Sequence, residues 1–277
     1  MRNLLTMLTV KEIVTKGYIT PSKLPGYDYV INPYVGCPHR CIYCYAEYMK
    51  RLSSHEEAWG DFIDVKTRSI SHKPLDLQGR TILLSSVTDC YNFLEEKYRL
   101  TRQLLEQLRP SGAHITILTK SPLVLRDIDI LKQLPDVTVG ISVSTEQEQI
   151  RQHLEPGAPA IQERLAALET LHRAGIRTWL NIAPVCPGLT DWKKLVEASM
   201  GFVDRYAFEN LKLRAAALQR VLLYITQHQP HLKELYHQIY QENEMSYWQH
   251  LRKEILAFCN AHQLSAAVYF SEKTPTE

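Results

Sequence analysis

The feature that most constrains the fold is a repeated alternation of short apolar segments with longer amphipathic ones. The apolar segments are rich in β-branched residues, which is typical of strands buried on both faces. Each is followed by a polar loop and then by a stretch with helical spacing. The predicted strands are Tyr27–Tyr34, Thr81–Ser85, His114–Thr119, Val137–Val143, Ile176–Ile182 and Val203–Phe208. Six such units predict an α/β fold built as a partial (β/α)6 barrel of the TIM type.

The rest of the chain flanks this predicted barrel, which we assign to residues 28–210. Residues 1–27 are punctuated by prolines and are read as an irregular lead-in. Residues 211–277 form a predicted helical C-terminal extension, with a final strand at Ala267–Phe270. Within the barrel, the clearest predicted helices cover Glu95–Leu108 and Ala160–Ala174. No Gly/Ser-rich linker separates the barrel from the extension, so we expect a single domain.

The composition of the 277 residues is that of an ordinary globular protein, with 45% apolar and 22% charged residues. A net charge of +2 gives no general electrostatic reason to bind nucleic acid. No apolar run is long enough for a membrane span. Leu4–Val10 is apolar but short and lacks a cleavage site, so we expect no signal peptide. Unpaired thiols favour a reducing, cytoplasmic compartment.

Three of the six cysteines, Cys37, Cys41 and Cys44, lie in a C-x3-C-x2-C spacing on one short segment. Three thiols cannot all pair as disulfides, but three thiolates can bind one metal centre. Tetrahedral zinc needs four ligands, and the nearest nitrogen, His39, lies between two of the cysteines where the loop is tight. A four-iron cluster can be held by three thiolates, leaving one iron open. A structural zinc knuckle remains the alternative, although zinc sites usually show two separated pairs.

The cysteine spacing, with Tyr43 directly before Cys44, resembles the signature of the radical S-adenosylmethionine (SAM) enzymes. Five further stretches add to this resemblance: Asn32–Cys37, Val87–Asp89, Leu118–Ser121, Leu154–Pro159 and Ile182–Leu189. They resemble one branch of that superfamily, the spore photoproduct lyase-like proteins. Within this branch the chain, including Ala207–Leu211, is also similar to the radical SAM mobile pair proteins.

This resemblance implies a [4Fe-4S] cluster and SAM as cofactors, with one electron from the cluster splitting the C5′–S bond of SAM. The resulting radical would act on a substrate that the sequence does not identify, for which the branch suggests a nucleic-acid base or a lesion. The reaction would be lyase-like. The resemblance also implies an electron donor such as a flavodoxin or ferredoxin, and a second radical SAM protein as a partner.

The resemblance further implies SAM contacts at the ends of successive strands. We expect the Lys120 ammonium to meet the SAM carboxylate and Asp89 to meet a ribose hydroxyl or the methionine ammonium. Taken alone, each of these residues also fits a turn, a cap or a solvated charge. The complete expected cofactor-binding set is Tyr43, Thr88, Asp89, Lys120, Ser142 and Ser144.

Two further cysteines, Cys90 and Cys186, are candidate hydrogen donors because each follows a predicted strand; buried packing is the alternative for both. Cys259 is read as a packing residue only. In the branch, photoproduct repair is implied to need a thiol at the position of Ser86, so we predict that this chain does not perform that repair. Glu209 and Asn210, after the sixth strand, are weaker candidates for contacts with the substrate or SAM.

Arg151, His153 and Glu155 precede a Pro-Gly loop and are read as a solvated face, with lining of the barrel mouth as the alternative.

Three functions therefore stay open at this point: a radical SAM enzyme, a non-catalytic iron–sulfur protein that passes electrons to or assembles with another radical enzyme, and a zinc-stabilised nucleic-acid-binding module. Iron analysis separates the third from the others, and cleavage of SAM separates the first from the second.

Overall fold

A computed structural model of the protein describes residues 8–68 and 75–271. Residues 4–7 of the Leu4–Val10 segment lie outside this description. The strands are β1 (Thr9–Val14), β2 (Ile19–Pro21), β3 (Tyr29–Ile31), β4 (Tyr34–Val35), β5 (Phe62–Thr67), β6 (Thr81–Leu84), β7 (His114–Thr119), β8 (Val137–Val143), β9 (Arg177–Val185), β10 (Arg205–Asn210) and β11 (Ala266–Tyr269). The helices are α1 (Glu95–Tyr98), α2 (Leu100–Leu108), α3 (Ile128–Leu131), α4 (Glu148–Leu154), α5 (Ile161–Arg173), α6 (Trp192–Glu197), α7 (Ala215–His228), α8 (Lys233–Tyr240) and α9 (Ser246–Ala261).

Eight strands form the main sheet in the order β11-β10-β9-β8-β7-β6-β3-β2. Its strands run parallel except for β2, which is antiparallel to β3. Parallel neighbours need crossover connections, and here these are the helical segments that the sequence pattern predicts. A second sheet has the strand order β1-β5-β4, and its strand β4 is followed closely by the cysteine segment.

The main sheet curls into a partial barrel. Tyr27 lies two residues before β3, and β10 lies five strands away from β3 in the sheet order. A flat sheet would hold these two strands about 24 Å apart. Burial raises the pKa of Tyr27, and the charges of Arg205 and Glu209 on β10 also act on this phenol. The two ends of the sheet therefore face each other across its interior, as the barrel prediction requires.

Side chains alternate between two faces of the curled sheet. In one row, Ile141, Leu180 and Tyr206 are almost fully buried beneath the helices. The next row, Ser142, Asn181 and Ala207, points to the opposite side, which we call the inner face. Because the helices cover the other face, the inner face is the one that can receive a ligand beside the strands' C-terminal ends.

The structure confirms the mixed α/β fold and the partial barrel, and it corrects several details. The lead-in is not irregular throughout, because β1 and β2 form there from β-branched runs. The predicted helix over Glu95–Leu108 is broken at Arg99, which has a left-handed φ of 51°. β5 is not among the predicted strands.

The C-terminal extension is helical as predicted, and α7, α8 and α9 pack on the same core as the barrel. Its last strand, β11, pairs with β10 and so completes the edge of the main sheet. The boundaries at residues 28 and 210 stay predictions. Within the described ranges, no helix has the length and apolarity needed to cross a membrane.

Candidate active site

The three clustered cysteines lie on a loop that begins after a glycine, Gly36, whose backbone packs closely against that of Phe62. Gly36 has a φ of 91°, and a Cβ at this position would lie 2.4 Å from the carbonyl oxygen of Phe62. The Gly36 carbonyl accepts a hydrogen bond of 2.6 Å from the hydroxyl of Thr88. Cys44 ends the loop and directly precedes a 3-10 helix, Tyr45–Leu52. The third cysteine is therefore followed by a helix of the tight 3-10 form.

The Cys37, Cys41 and Cys44 thiols are free and lie close enough together to influence one another's charge. Burial raises the pKa of all three, that of Cys41 to about 12, so a metal must displace their protons. Hydrogen bonds from the Ala46 amide and the Trp59 side chain partly offset the rise in the pKa of Cys44.

The donor set fits a four-iron cluster. Thiolates that bind such a cluster each ligate a different iron, and the loop offers three partly buried thiols, at Cys37, Cys41 and Cys44. In residues 8–68 and 75–271, no three His, Cys, Asp or Glu side chains form a group that could hold a single metal ion.

A buried hydrogen bond between His39 and Asp89 fixes the middle of the cysteine loop. His39 Nε2 lies 2.9 Å from Asp89 Oδ2, and both side chains are buried. The Asp89 carboxylate also accepts hydrogen bonds from the Thr119 hydroxyl and from the backbone N–H groups of Tyr91 and Lys120. Burial opposes ionisation of Asp89, but these donors and the His39 charge hold its pKa at about 2. Asp89 thus links the cysteine loop to the C-terminal ends of β6 and β7.

The segment between α4 and α5 supports the loop from the other side. The Gly157 N–H donates to the His39 carbonyl at 2.9 Å, and the Ile42 N–H donates to the Leu154 carbonyl at 2.9 Å. A Cβ at Gly157 would lie 2.0 Å from the carbonyl oxygen of Pro38. The close approach of the two backbones therefore depends on glycine at position 157.

Glu155, two residues before this glycine, is the centre of a buried polar network. Its Oε1 accepts hydrogen bonds from the Tyr43 hydroxyl and, at 2.9 Å, from the Ser144 hydroxyl. Its Oε2 lies 2.6 Å from Arg164 Nη1, with both side chains fully buried. The opposite charges of the two groups hold them together.

The network extends from Glu155 to the predicted SAM-binding lysine. Lys120 Nζ lies 3.8 Å from Glu155 Oε1 and donates to the Ser142 hydroxyl at 3.1 Å. Burial opposes the charge on Lys120, but the Glu155 carboxylate and the Cys41 thiolate raise its pKa. Burial likewise opposes ionisation of Glu155, and the Arg164 and Lys120 charges hold its pKa at about 2. Lys120 and Glu155 are therefore both charged at neutral pH.

The charges around Cys41 suit anionic partners. Two cations, Lys120 and Arg164, face one carboxylate, Glu155, and all three act on the Cys41 thiol. Arg164 Nη2 is buried and has no acceptor in the described part of the chain. An excess of positive charge with a spare donor fits both a cluster carried by thiolates and a ligand carboxylate.

The structure brings most of the predicted cofactor-binding residues together. Tyr43, Lys120, Ser142 and Ser144 surround Glu155 and Arg164, whereas Thr88 and Asp89 contact the cysteine loop itself. SAM contacts by these side chains stay predictions. Cys90 and Cys186 are both fully buried in the core, and a catalytic role for either also stays a prediction.

The solvated-face reading of the residues before the Pro-Gly loop is only partly right. His153 is exposed, as expected. Arg151 and Glu155 are buried instead, and Arg151 Nη1 donates to the carbonyls of Glu155 and Ala158. Arg164 is not among the predicted site residues. The available signal was its position in α5, where it occupies the apolar stripe shared by Ile161, Leu168 and Leu171.

The family model of the Radical SAM superfamily matches residues 31–197. An uncharacterized protein of Methanocaldococcus jannaschii is 35% identical over 212 residues, covering 76% of this chain and 80% of that protein. A Radical SAM Nalpha-GlyT isomerase of Pseudomonas phage M6 is 31% identical over 105 residues, covering 38% of this chain and 22% of that protein.

Among solved structures, a spore photoproduct lyase complexed with dinucleoside spore photoproduct superimposes with a TM-score of 0.69 at 16% identity. The match covers 95% of this chain and 82% of that one. SuiB of Streptococcus suis bound to S-adenosylmethionine gives a TM-score of 0.52 at 12% identity, covering 87% of this chain and 46% of that one. At these identities the structural matches show the fold alone.

Proposed function

This chain belongs to the radical SAM superfamily, whose cofactors are a [4Fe-4S] cluster and SAM, and we propose that it cleaves SAM reductively to start radical chemistry on a second substrate. The bound cluster would supply the electron that splits the C5′–S bond of SAM. The chain's own task is to hold both cofactors, orient them and exclude water.

The residues divide this task between them. Cys37, Cys41 and Cys44 would hold the cluster, and the His39–Asp89 pair would keep their loop in place. Lys120, with the spare donor of Arg164, would bind the SAM carboxylate, since charge-assisted hydrogen bonds to carboxylates are the strong ones. Burial of this region limits access of water to the bond that breaks.

The observation that carries the proposal is the network around Glu155. One buried carboxylate contacts Tyr43, which is part of the cysteine loop, and lies beside Lys120 and Ser144 at two different strand ends. A zinc knuckle or a simple electron carrier needs no such link between its thiols and a set of cationic side chains. A site that must place SAM against a cluster does.

The test is anaerobic reconstitution followed by iron and sulfide analysis and a 5′-deoxyadenosine assay with reductant and SAM. We expect about four irons per chain, and loss of both cluster and product in Cys37→Ala, Cys41→Ala or Cys44→Ala. The matched control is Cys259→Ala, which removes a buried thiol in α9 far along the chain and should keep both.

The results separate the three functions. A cluster without 5′-deoxyadenosine would favour the non-catalytic iron–sulfur protein. Stoichiometric zinc without iron would favour the zinc module and refute the proposal. Four further points remain proposals: the lyase-like reaction type, the flavodoxin or ferredoxin donor, a second radical SAM partner and the cytoplasmic location. Co-purification with candidate proteins would test the donor and the partner.

A further inference from the structure

Helix α7 of the C-terminal extension reaches back to the cysteine loop, although it lies outside residues 31–197, which the family model matches. Arg220 makes this contact. Its Nε donates to the carbonyl of Ile42 at 3.1 Å, and Ile42 lies between the second and third cysteines of the loop. Its Nη2 donates to Glu47 Oε2 at 2.6 Å, and its Nη1 donates to Glu47 Oε1 at 3.3 Å. One side chain therefore joins a helix of the extension to two points of the cysteine segment.

The backbone of Ile42 is held from both sides. Its N–H donates to the Leu154 carbonyl at the end of α4, and its carbonyl accepts from Arg220. The Cys44 N–H donates to the Cys41 carbonyl at 3.1 Å, so these two cysteines close a turn that contains Ile42. An irregular loop has no ladder of backbone hydrogen bonds to fix it, so contacts of this kind decide its conformation. Without Arg220, the backbone of Ile42 would be held on one side only.

The same face of α7 also contacts the segment that carries Glu155. Tyr224 and His228 follow Arg220 at intervals of four residues and so lie on one face of the helix. Their rings lie 5.5 and 4.6 Å from the ring of His153, measured between ring centroids. His153 is in α4, two residues before Glu155. Helix α7 therefore packs against both segments that frame the candidate site.

The Arg220 contact orients the loop more than it stabilises the whole fold. Both side chains of its ion pair are partly exposed, Arg220 at 38% and Glu47 at 31%, and such pairs add little to global stability. A guanidinium instead fixes direction, because its donors form a planar fork that can bind a carboxylate with two of them and a carbonyl with the third. A lysine ammonium carries the same charge but has no fork. The expected effect of Arg220 is therefore local.

We infer that Arg220 is a positioning residue for the iron–sulfur cluster: it holds the turn between Cys41 and Cys44 so that these thiols can ligate the same cluster as Cys37. The C-terminal extension thereby completes the cofactor site from outside the residues that the family model matches. The inference rests on the cluster of the proposed function but not on cleavage of SAM, so the two can fail separately.

The first experiment measures thiol alkylation in the cluster-free protein, with each cysteine followed by mass spectrometry. Alkylation of a thiol that is held in place requires local opening. We expect Arg220→Met to raise the alkylation rates of Cys41 and Cys44 about tenfold, because a charge-assisted hydrogen bond to the loop is lost. The three cysteines outside the loop are all buried and should keep their wild-type rates.

The second experiment measures how long the reconstituted protein retains iron in the presence of a chelator. Arg220→Met should release iron about tenfold faster than the wild type, for the same reason. Arg220→Lys should behave like Arg220→Met in both experiments, since it keeps the charge and loses the fork. Arg173→Met is the matched control: Arg173 pairs with Glu169 on the exposed surface of α5, and its loss should change neither rate.

Wild-type alkylation and iron retention in Arg220→Met overturn the inference. Faster alkylation of all six cysteines also overturns it, since Arg220 would then support the whole fold and not the loop. Wild-type rates in Arg220→Lys overturn it as well, because charge alone would then suffice. Absence of 5′-deoxyadenosine from reactions of the wild-type protein with an intact cluster would instead count against the proposed function alone.

Discussion

Replacing Glu155 with glutamine should show how far the site depends on one buried charge. The substitution keeps the size of the side chain and removes the carboxylate that faces Arg164 at 2.6 Å and Lys120 at 3.8 Å. Removing one partner of a buried ion pair leaves an uncompensated charge and costs about 3–5 kcal/mol. For a chain of this size, that loss lowers the melting temperature by roughly 6–20 °C.

The same substitution should weaken SAM binding, because Lys120 loses the carboxylate that most favours its charged form. The assays are thermal unfolding of the cluster-free protein and equilibrium SAM binding to the reconstituted protein. Glu169→Gln is the matched control, since Glu169 pairs with Arg173 on the exposed surface of α5 and such pairs contribute about 0–1 kcal/mol. If Glu155→Gln melts no lower than Glu169→Gln, the central role that we give to Glu155 is wrong.

Four further predictions follow from the same geometry. Lys120→Ala should raise the dissociation constant of SAM about tenfold or more with a normal cluster spectrum, since a charge-assisted hydrogen bond is lost; unchanged affinity would remove Lys120 from the site. Gly157→Ala should reduce iron incorporation, because its Cβ meets the Pro38 carbonyl; full incorporation would show that the loop can shift. Glu155 has a lowered pKa of about 2, so its stabilising effect is complete above pH 4.5 and lost as the pH falls toward 2; acid unfolding of Glu155→Gln should lack this component. With dinucleoside spore photoproduct, SAM and reductant, the protein should not return two thymines, because Ser86 lacks a thiol; clean repair would contradict this.

The strands were predictable because their burial on the helix-covered face leaves a strong local pattern. Val137–Val143 was predicted with the bounds that the structure has, and the β9 and β10 predictions differ by only a few residues. The lead-in was harder, since β1 pairs with β5 across about fifty residues and nothing local indicates that partner. The break at Arg99 was also hidden, because a left-handed arginine carries no sequence signal of the kind that glycine gives.

The grouping of Cys37, Cys41 and Cys44 on one loop was predictable because the three residues are close in sequence, and their role as metal ligands stays a prediction. The supporting residues were not predictable, because their roles depend on contacts between distant parts of the chain. Glu155 and Tyr43 are 112 residues apart, and His39 and Gly157 are 118 residues apart. In the sequence, a glutamate before Pro-Gly looks like a solvated loop residue. Only the packing of α4 against the cysteine loop makes it the centre of the site.

The charges of this site suggest why it uses a buried carboxylate at all. Lys120 and Arg164 must be charged to bind an anionic group, yet burying two cations together without a counter-charge is strongly unfavourable. Glu155 compensates one of the two charges in the protein alone, so the pocket keeps a net positive charge and the spare Nη2 donor of Arg164. An arriving carboxylate then meets charged partners that are already desolvated and oriented, and little rearrangement is needed on binding. By this reasoning Glu155 holds the cofactor site in its binding geometry before SAM arrives.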